Sequence, residues 1–312
     1  MSELKALAPS ATRREAIADI SEAFRLAGVE APRREAGLAL RAACALTELD
    51  LLCAPEAPLG PAATRLNEFV KRRLRGEPLS RVTGAREFWG LLFSITPDVL
   101  DPRPETETVV EAAVALFAER RTEPLRIVDL GVGSGALLCA LLSEFRSARG
   151  LGIDVSPAAA SVAIRNVEAC GLSGRAEIRV GDWNADLEGP FDLIVSNPPY
   201  VRTADIAALP CAVRDFDPLV ALNGGGDGLD AYRGIFPAAQ LLLAADGFLL
   251  AEMGHGQAAE VLEIAARAGF HDCALWRDYA GIDRVIAARA PAAAGRGLPR
   301  AGQYRDGLIR AT

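Results

Sequence analysis

Histidine is nearly missing from this chain: 312 residues hold only His255 and His271. That excludes a histidine-rich metal centre. The six cysteines (Cys44, Cys53, Cys139, Cys170, Cys211 and Cys273) never form C-x-x-C, which excludes a zinc ribbon or redox pair. They read as small buried hydrophobes. G-x-S-x-G is absent, so a serine hydrolase has no nucleophile elbow, and His255 in Glu252-Met-Gly-His-Gly reads as a loop residue. No apolar run approaches the roughly 20 residues of a membrane span. Met1-Ser-Glu-Leu-Lys lacks the parts of a secretory signal, so the expectation is a cytoplasmic protein without membrane contact. Positive charge is not in surplus either. A net charge of −7 and a pI near 5.1 oppose a grip on phosphate backbones, and no direct nucleic-acid binding is expected. The cluster Lys71-Arg72-Arg73-Leu74-Arg75 reads as a solvated helix face.

What is present is a globular composition, 50% hydrophobic and 24% charged, long enough for one large α/β domain and a smaller one. Residues 1–76 read as a small helical domain. Thr12-x-x-Glu15 forms a capping box, and Ile17, Ile20, Phe24 and Leu26 follow on one side until Gly28. Further apolar sets are Leu38, Leu40, Leu46 and Leu49, then Leu66, Phe69, Val70 and Leu74. Residues 77–104 read as a linker with a β-hairpin around Arg81-Val-Thr and Phe88-Trp-Gly-Leu-Leu-Phe-Ser-Ile. Glu105 and Glu107 then open a helix whose apolar face is Val109, Val110, Val114 and Phe117.

From 105 to 289 strands and helices alternate, which implies a parallel sheet covered on both faces. Strands are expected at Leu125–Leu130, Gly150–Val155, Ala176–Val180, Phe191–Val195, Gly247–Glu252, Cys273–Trp276 and Arg284–Ala287. Residues 290–312 lose periodicity and read as a loose, disordered tail.

Three strand ends carry chemistry. After the first, Asp129-Leu-Gly131-Val132-Gly133-Ser134-Gly135 has the glycines of a tight turn that a ligand approaches closely. Its G-x-G-x-G spacing is compressed relative to the dinucleotide fingerprint, which points away from NAD and toward another nucleoside. After the second, Asp154 lies 19 residues beyond Gly135, where a carboxylate can accept from ribose hydroxyls, although an Asp can also simply close a strand. After the third, Gly181-Asp182-Trp183 offers a carboxylate and a flat ring for a base. Together they describe a pocket for S-adenosylmethionine. The fourth strand ends in Asn197-Pro198-Pro199-Tyr200, which in an arbitrary sequence would be a rigid turn.

With D-L-G-V-G-S-G and G-I-D-V beside it, N-P-P-Y resembles the class I S-adenosylmethionine-dependent methyltransferases acting on planar nitrogens. That motif alone does not separate glutamine from adenine. Arg75-Gly-Glu-Pro-Leu, Thr83-Gly-Ala-Arg-Glu-Phe-Trp-Gly and Pro102-Arg-Pro-Glu-Thr-Glu resemble the peptide chain release factor protein-(glutamine-N5) methyltransferases, the PrmC/HemK family. The likeness runs over about residues 12 to 289, including Val213-Arg-Asp-Phe-Asp-Pro-Leu and Gly225-Gly-Asp-Gly-Leu. It implies a Rossmann-like seven-stranded sheet, an N-terminal helical domain that recognises substrate, and methylation of the glutamine in a release factor's Gly-Gly-Gln motif. Carried over, cofactor contacts fall on Gly131, Val132, Gly133, Ser134, Gly135, Asp154, Asp182, Trp183 and Asn197. The substrate glutamine falls to Asn197, Pro198, Pro199 and Tyr200. Asp101 departs from the family's usual apolar residue, which puts the packing of that linker in doubt.

The chemistry agrees with the shortage of histidine. An amide nitrogen is a poor nucleophile, so a site must hold it by its N–H groups. The Asn197 side-chain oxygen and the Pro198 carbonyl suit that role, with Tyr200 over the amide plane, so Asn197, Pro198 and Tyr200 are the expected catalytic residues. The prolines restrict the backbone and hold both acceptors at low entropic cost. Two other substrates share the planar-nitrogen problem: nucleic-acid adenine, disfavoured by the acidic balance, and a ribosomal-protein glutamine, disfavoured by the R-E-F-W-G and P-R-P-E-T-E stretches. A non-catalytic adaptor is disfavoured by the intact Asn197 and Tyr200.

Overall fold

A computed structural model describes residues 6–183 and 187–291. The expected tail from 292 onward lies outside the described residues. The chain forms two compact units: one runs through Ala85 and takes in Cys211–Phe216, the other comprises Arg86–Pro210 and the chain from Asp217.

The first unit is helical, with helices Arg13–Leu26, Pro32–Cys44, Glu48–Cys53, Ala62–Leu74 and Leu79–Thr83. Thr12 and Glu15 form the reciprocal capping box, each side chain accepting from the other's backbone N–H. Ile20, Phe24, Leu40, Leu66 and Val70 meet in its core. Leu26, Leu38 and Leu49, expected on that face, are exposed. Leu26 and Leu38 each lie two residues from a buried neighbour, Phe24 or Leu40, and at 3.6 residues per turn that points them to the opposite side. Leu49 sits in a six-residue helix that buries nothing. The basic cluster is only partly a solvated face, because Arg73 pairs with Glu35 at 2.6 Å and Arg72 with Glu77. Arg81-Val82-Thr83 is helix, not hairpin: Pro78 starts the turn, Thr83 Oγ1 donates back to the Leu79 carbonyl at 2.9 Å, and Gly84 ends it. The cysteines divide as well, since Cys139 is buried while Cys53 and Cys211 are exposed.

The hairpin is β1 (Ala85–Phe88) and β2 (Leu91–Ser94), turned by Trp89 and Gly90 with φ of 51° and 70°. Two positive φ values give the twist that suits a two-residue hairpin. The Glu107 carboxylate accepts from Trp89 N at 2.9 Å, so the helix that follows fixes the turn.

The large sheet contains β3 (Arg126–Leu130), β4 (Arg149–Asp154), β5 (Ala176–Val180), β6 (Phe191–Ser196), β7 (Leu243–Glu252), β8 (Asp272–Arg277) and β9 (Asp283–Arg289). Its order is β5-β4-β3-β6-β7-β9-β8, with β9 antiparallel to both neighbours. β3 and β6 are apolar on both faces because helices cover both, with Leu193 and Val195 in one core and Val128 and Ile194 in the other. The strand order reverses between β3 and β6. In open α/β sheets a ligand crevice forms at that point, beyond the carboxyl ends of the strands. Among the described residues no helix is long and apolar enough to cross a membrane.

Asp101 is buried in the second unit. Its backbone N–H donates to Asp217 at 3.3 Å, Arg103 pairs with the same Asp217 carboxylate, and Arg86 lies 3.8 Å from the Asp101 side chain. One cation, Arg86, thus stands near the carboxylate that replaces an apolar residue, while Arg103 is held by Asp217.

Candidate active site

A cavity of about 210 Å³ opens beyond the ends of β3, β4 and β6. One water needs roughly 10–15 Å³ on that measure, so this is space for a small organic molecule. Gly131, Val132, Gly133 and Ser134 line it after β3, Asp154 after β4, Asp182 and Trp183 after β5, and Asn197 and Pro199 after β6. Gly135, Pro198 and Tyr200 are not among the residues lining it. Gly135 starts helix Ala136–Glu144 with φ of 81°, and a Cβ there would lie 3.4 Å from Ala163, so the residue lets two helices close together. Tyr200 packs its ring on the core under β6 and β7.

The carboxylates differ in surroundings. Asp154 accepts from Gly133 N at 2.8 Å and from Ser156 N at 2.9 Å, so it clamps the glycine loop while one side faces the cavity. Asp129 is buried at the cavity wall and its Oδ2 has no hydrogen-bond partner among the described residues. Burial, then the nearby Asp154, push its carboxyl up to about 8, against a backbone hydrogen bond from Leu138. An orphaned acceptor in a cavity wall is what a cationic ligand would complete. The residues present therefore fit a nucleoside cofactor carrying an ammonium group.

N-P-P-Y is braced from behind. Tyr200 donates its hydroxyl hydrogen to Glu252 at 3.2 Å, and its carbonyl accepts from Gln257 Nε2 at 3.1 Å. Val201 N donates to Leu222, and Gly224 N to Val201, at 2.9 and 2.8 Å. A Cβ on Gly224 would lie 2.7 Å from the Pro199 carbonyl and 2.9 Å from Tyr200 Cα. The glycine-rich loop at Asn223–Gly228 thus lets two backbones touch.

Residues 15–84 match the model described as the PrmC N-terminal domain, and residues 107–210 match the methyltransferase small domain. A release factor glutamine methyltransferase of Rhodospirillum rubrum is 46% identical over 271 residues, 86% of this chain and 82% of that protein. The chain belongs to the release factor glutamine methyltransferase family. The same name is carried by a protein of Bradyrhizobium diazoefficiens, 43% identical over 85% of this chain and 91% of its own. The hMettl16 catalytic domain, 17% identical, superposes with a TM-score of 0.54 over 77% of this chain and 84% of that one, which supports the fold.

For this release factor glutamine methyltransferase family member, reading from the sequence missed three residues at the site. Asp129 was visible as the first residue of the glycine motif but had no role, because its burial depends on the helix packed over it. Thr106 stands between two glutamates whose helix-end charge was a sufficient explanation of the segment. Glu252 closes β7, and a carboxylate ending a strand that is apolar on both faces was the signal available, since a buried charge needs partners.

Proposed function

We propose that this protein transfers a methyl group from S-adenosylmethionine to the side-chain amide nitrogen of the glutamine in a release factor's Gly-Gly-Gln motif. The observation that carries the reading is that Asn197 and Pro199 line the same cavity as the glycine loop, Asp129 and Asp154. An acceptor suited to an amide thus borders a space suited to a cationic nucleoside. Family membership supports the choice of glutamine over adenine.

When bound, the cofactor supplies a sulfonium-activated methyl group. The chain's own residues hold and orient. Gly131 to Gly135 let the cofactor approach the backbone closely, Asp154 accepts from ribose hydroxyls, Asp129 faces the ammonium, and Asp182 with Trp183 borders the base. Asn197 Oδ1 and the Pro198 carbonyl accept the two N–H bonds of the substrate amide, while Pro199 and Tyr200 complete its seat. Accepting both hydrogens raises electron density on the nitrogen, and orientation of this kind lowers barriers by about 7–11 kcal/mol in well-aligned systems. The helical first unit is assigned to recognition of the folded protein substrate.

The test offers release factor, ribosomal proteins and DNA side by side to the purified protein with labelled cofactor. Label confined to the release factor supports the reading. Label on DNA or a ribosomal protein instead overturns it.

A further inference from the structure

Behind Asn197 runs a chain of hydrogen bonds that holding the amide does not by itself require. Asn197 Nδ2 donates to Thr106 Oγ1 at 3.0 Å, and Thr106 Oγ1 donates to Glu252 Oε2 at 2.6 Å. Tyr200 donates to the other oxygen, Oε1. Thr106 is 5% exposed and Glu252 1%, so water does not compete for these bonds. A hydroxyl has one hydrogen. Once Thr106 has donated it to a carboxylate, its oxygen can only accept, and the amide end facing it must be the NH2. The opposite end, Oδ1, is then the one left to accept from a ligand.

We propose that Glu252 is a positioning residue for methyl transfer: through Thr106 it fixes the Asn197 amide with Oδ1, the acceptor, presented to the substrate nitrogen. This inference rests on the reading that Asn197 holds the glutamine amide. The reverse orientation would set NH2 against NH2, donor against donor, and lose the bond that makes the nitrogen a nucleophile. Nothing local to Asn197 selects one orientation, because the two ends of an amide have nearly the same shape. The selection comes from a carboxylate on β7.

The network also has a protonation state that reverses it. A proton on Glu252 Oε2 would be donated to Thr106, whose own hydrogen then turns toward Asn197 and favours the flipped amide. The charged and titratable groups around Glu252 are Arg284 on β9 with its partner Asp278, Glu105 beside Thr106, Tyr200 after β6, and Tyr232. Tyr232 lies on helix Asp230–Leu242 and donates to the Glu252 carbonyl at 2.9 Å. Arg103, paired with Asp217, stands near Tyr200. Burial raises Glu252 to about 7; the Thr106 hydrogen bond, Arg284 and Tyr200 pull the other way, and Glu105 adds to the rise. Tyr200 is itself pushed up by burial and then by Glu252, so it remains a donor. The orienting state, with Glu252 ionised, is thus gained as pH rises through about 7.

The experiment measures kcat and KM on full-length release factor across about pH 6 to 8.5 for wild type, Thr106→Val, Thr106→Ser and Glu252→Gln, with cofactor affinity by calorimetry as the control for folding. Thr106→Val and Glu252→Gln are expected to lose about ten-fold or more in kcat, the value of one or two hydrogen bonds to a charged group, with cofactor affinity kept within about two-fold. Thr106→Ser, which keeps the hydroxyl, recovers most of the loss. Wild type and Thr106→Ser show kcat falling below about pH 7, and the other two variants lack that limb. Thr106→Val with the kcat and pH profile of an active wild type overturns this inference and leaves the proposed function standing. A wild type inactive on release factor overturns both. Should Thr106→Val not fold, a Glu252→Gln protein that binds cofactor normally and keeps the wild-type kcat is enough to overturn the inference.

Discussion

Replacing Asp129 by asparagine should make the ligand-free protein more stable and the cofactor complex weaker. Asp129 is buried, has no partner on Oδ2 among the described residues, and is raised from 3.8 to about 8. The sign follows from proton linkage. Below pH 3.8 both folded and unfolded chains carry the proton and the group costs nothing. As pH rises from there toward about 8 the unfolded chain loses its proton first, so stability is lost progressively and the loss levels off above 8. Four pH units at about 1.36 kcal/mol each give an upper bound of about 5–6 kcal/mol. An asparagine amide left unsatisfied in the same place costs about 1–3 kcal/mol. The net gain for Asp129→Asn is then at most about 2–5 kcal/mol at pH 8, or about 4–20 °C in Tm for a domain of this size. It shrinks to nothing near pH 5. Thermal unfolding of both proteins at several pH values without ligand reads this directly, and calorimetry reads the loss of cofactor affinity. A Tm difference that is flat with pH, or unchanged cofactor affinity, would refute the reasoning, because each follows from one carboxylate waiting for a cation.

Other outcomes follow from the same geometry. Asn197→Ala should abolish turnover while calorimetry still finds near-normal cofactor affinity; lost binding with normal transfer at saturation would contradict its role. Gly224→Ala places a Cβ 2.7 Å from the Pro199 carbonyl, and should lower kcat by about ten-fold or more through displacement of N-P-P-Y, with little change in cofactor affinity. Arg175→Ala removes donors to the carbonyls of Leu142, Phe145 and Ala148 at 2.8–3.1 Å; chemical denaturation should show a loss of about 2 kcal/mol with kcat preserved. If the helical unit reads the folded substrate, kcat/KM on full-length release factor will exceed that on a short Gly-Gly-Gln peptide, and equal values would remove that role.

The parts of this protein that could be read from its residues are those with a local signal. Glycines at a strand end, Asp154 19 residues further on, and two prolines after the fourth strand each announce themselves within a few positions. The hairpin turn was legible at Trp89-Gly90, but its start was misplaced, because the β-branched pair Val82-Thr83 suits a strand as well as the helical turn that Pro78 begins and Gly84 ends. Thr106 and Glu252 were not legible. They lie 146 residues apart in sequence and meet only because helix and β7 pack on each other, so neither carries a pattern that names the other. The same holds for Asn197: its identity predicts an acceptor, but which end of the amide faces the cavity is decided by a residue on another strand.

The most direct test of the account is fragment mass spectrometry of a release factor after incubation with the purified protein and S-adenosylmethionine. One added methyl group on the glutamine side chain of Gly-Gly-Gln, absent with Asn197→Ala, is the predicted result. A methyl group on any other residue, or the same modification from the Asn197→Ala protein, would contradict it.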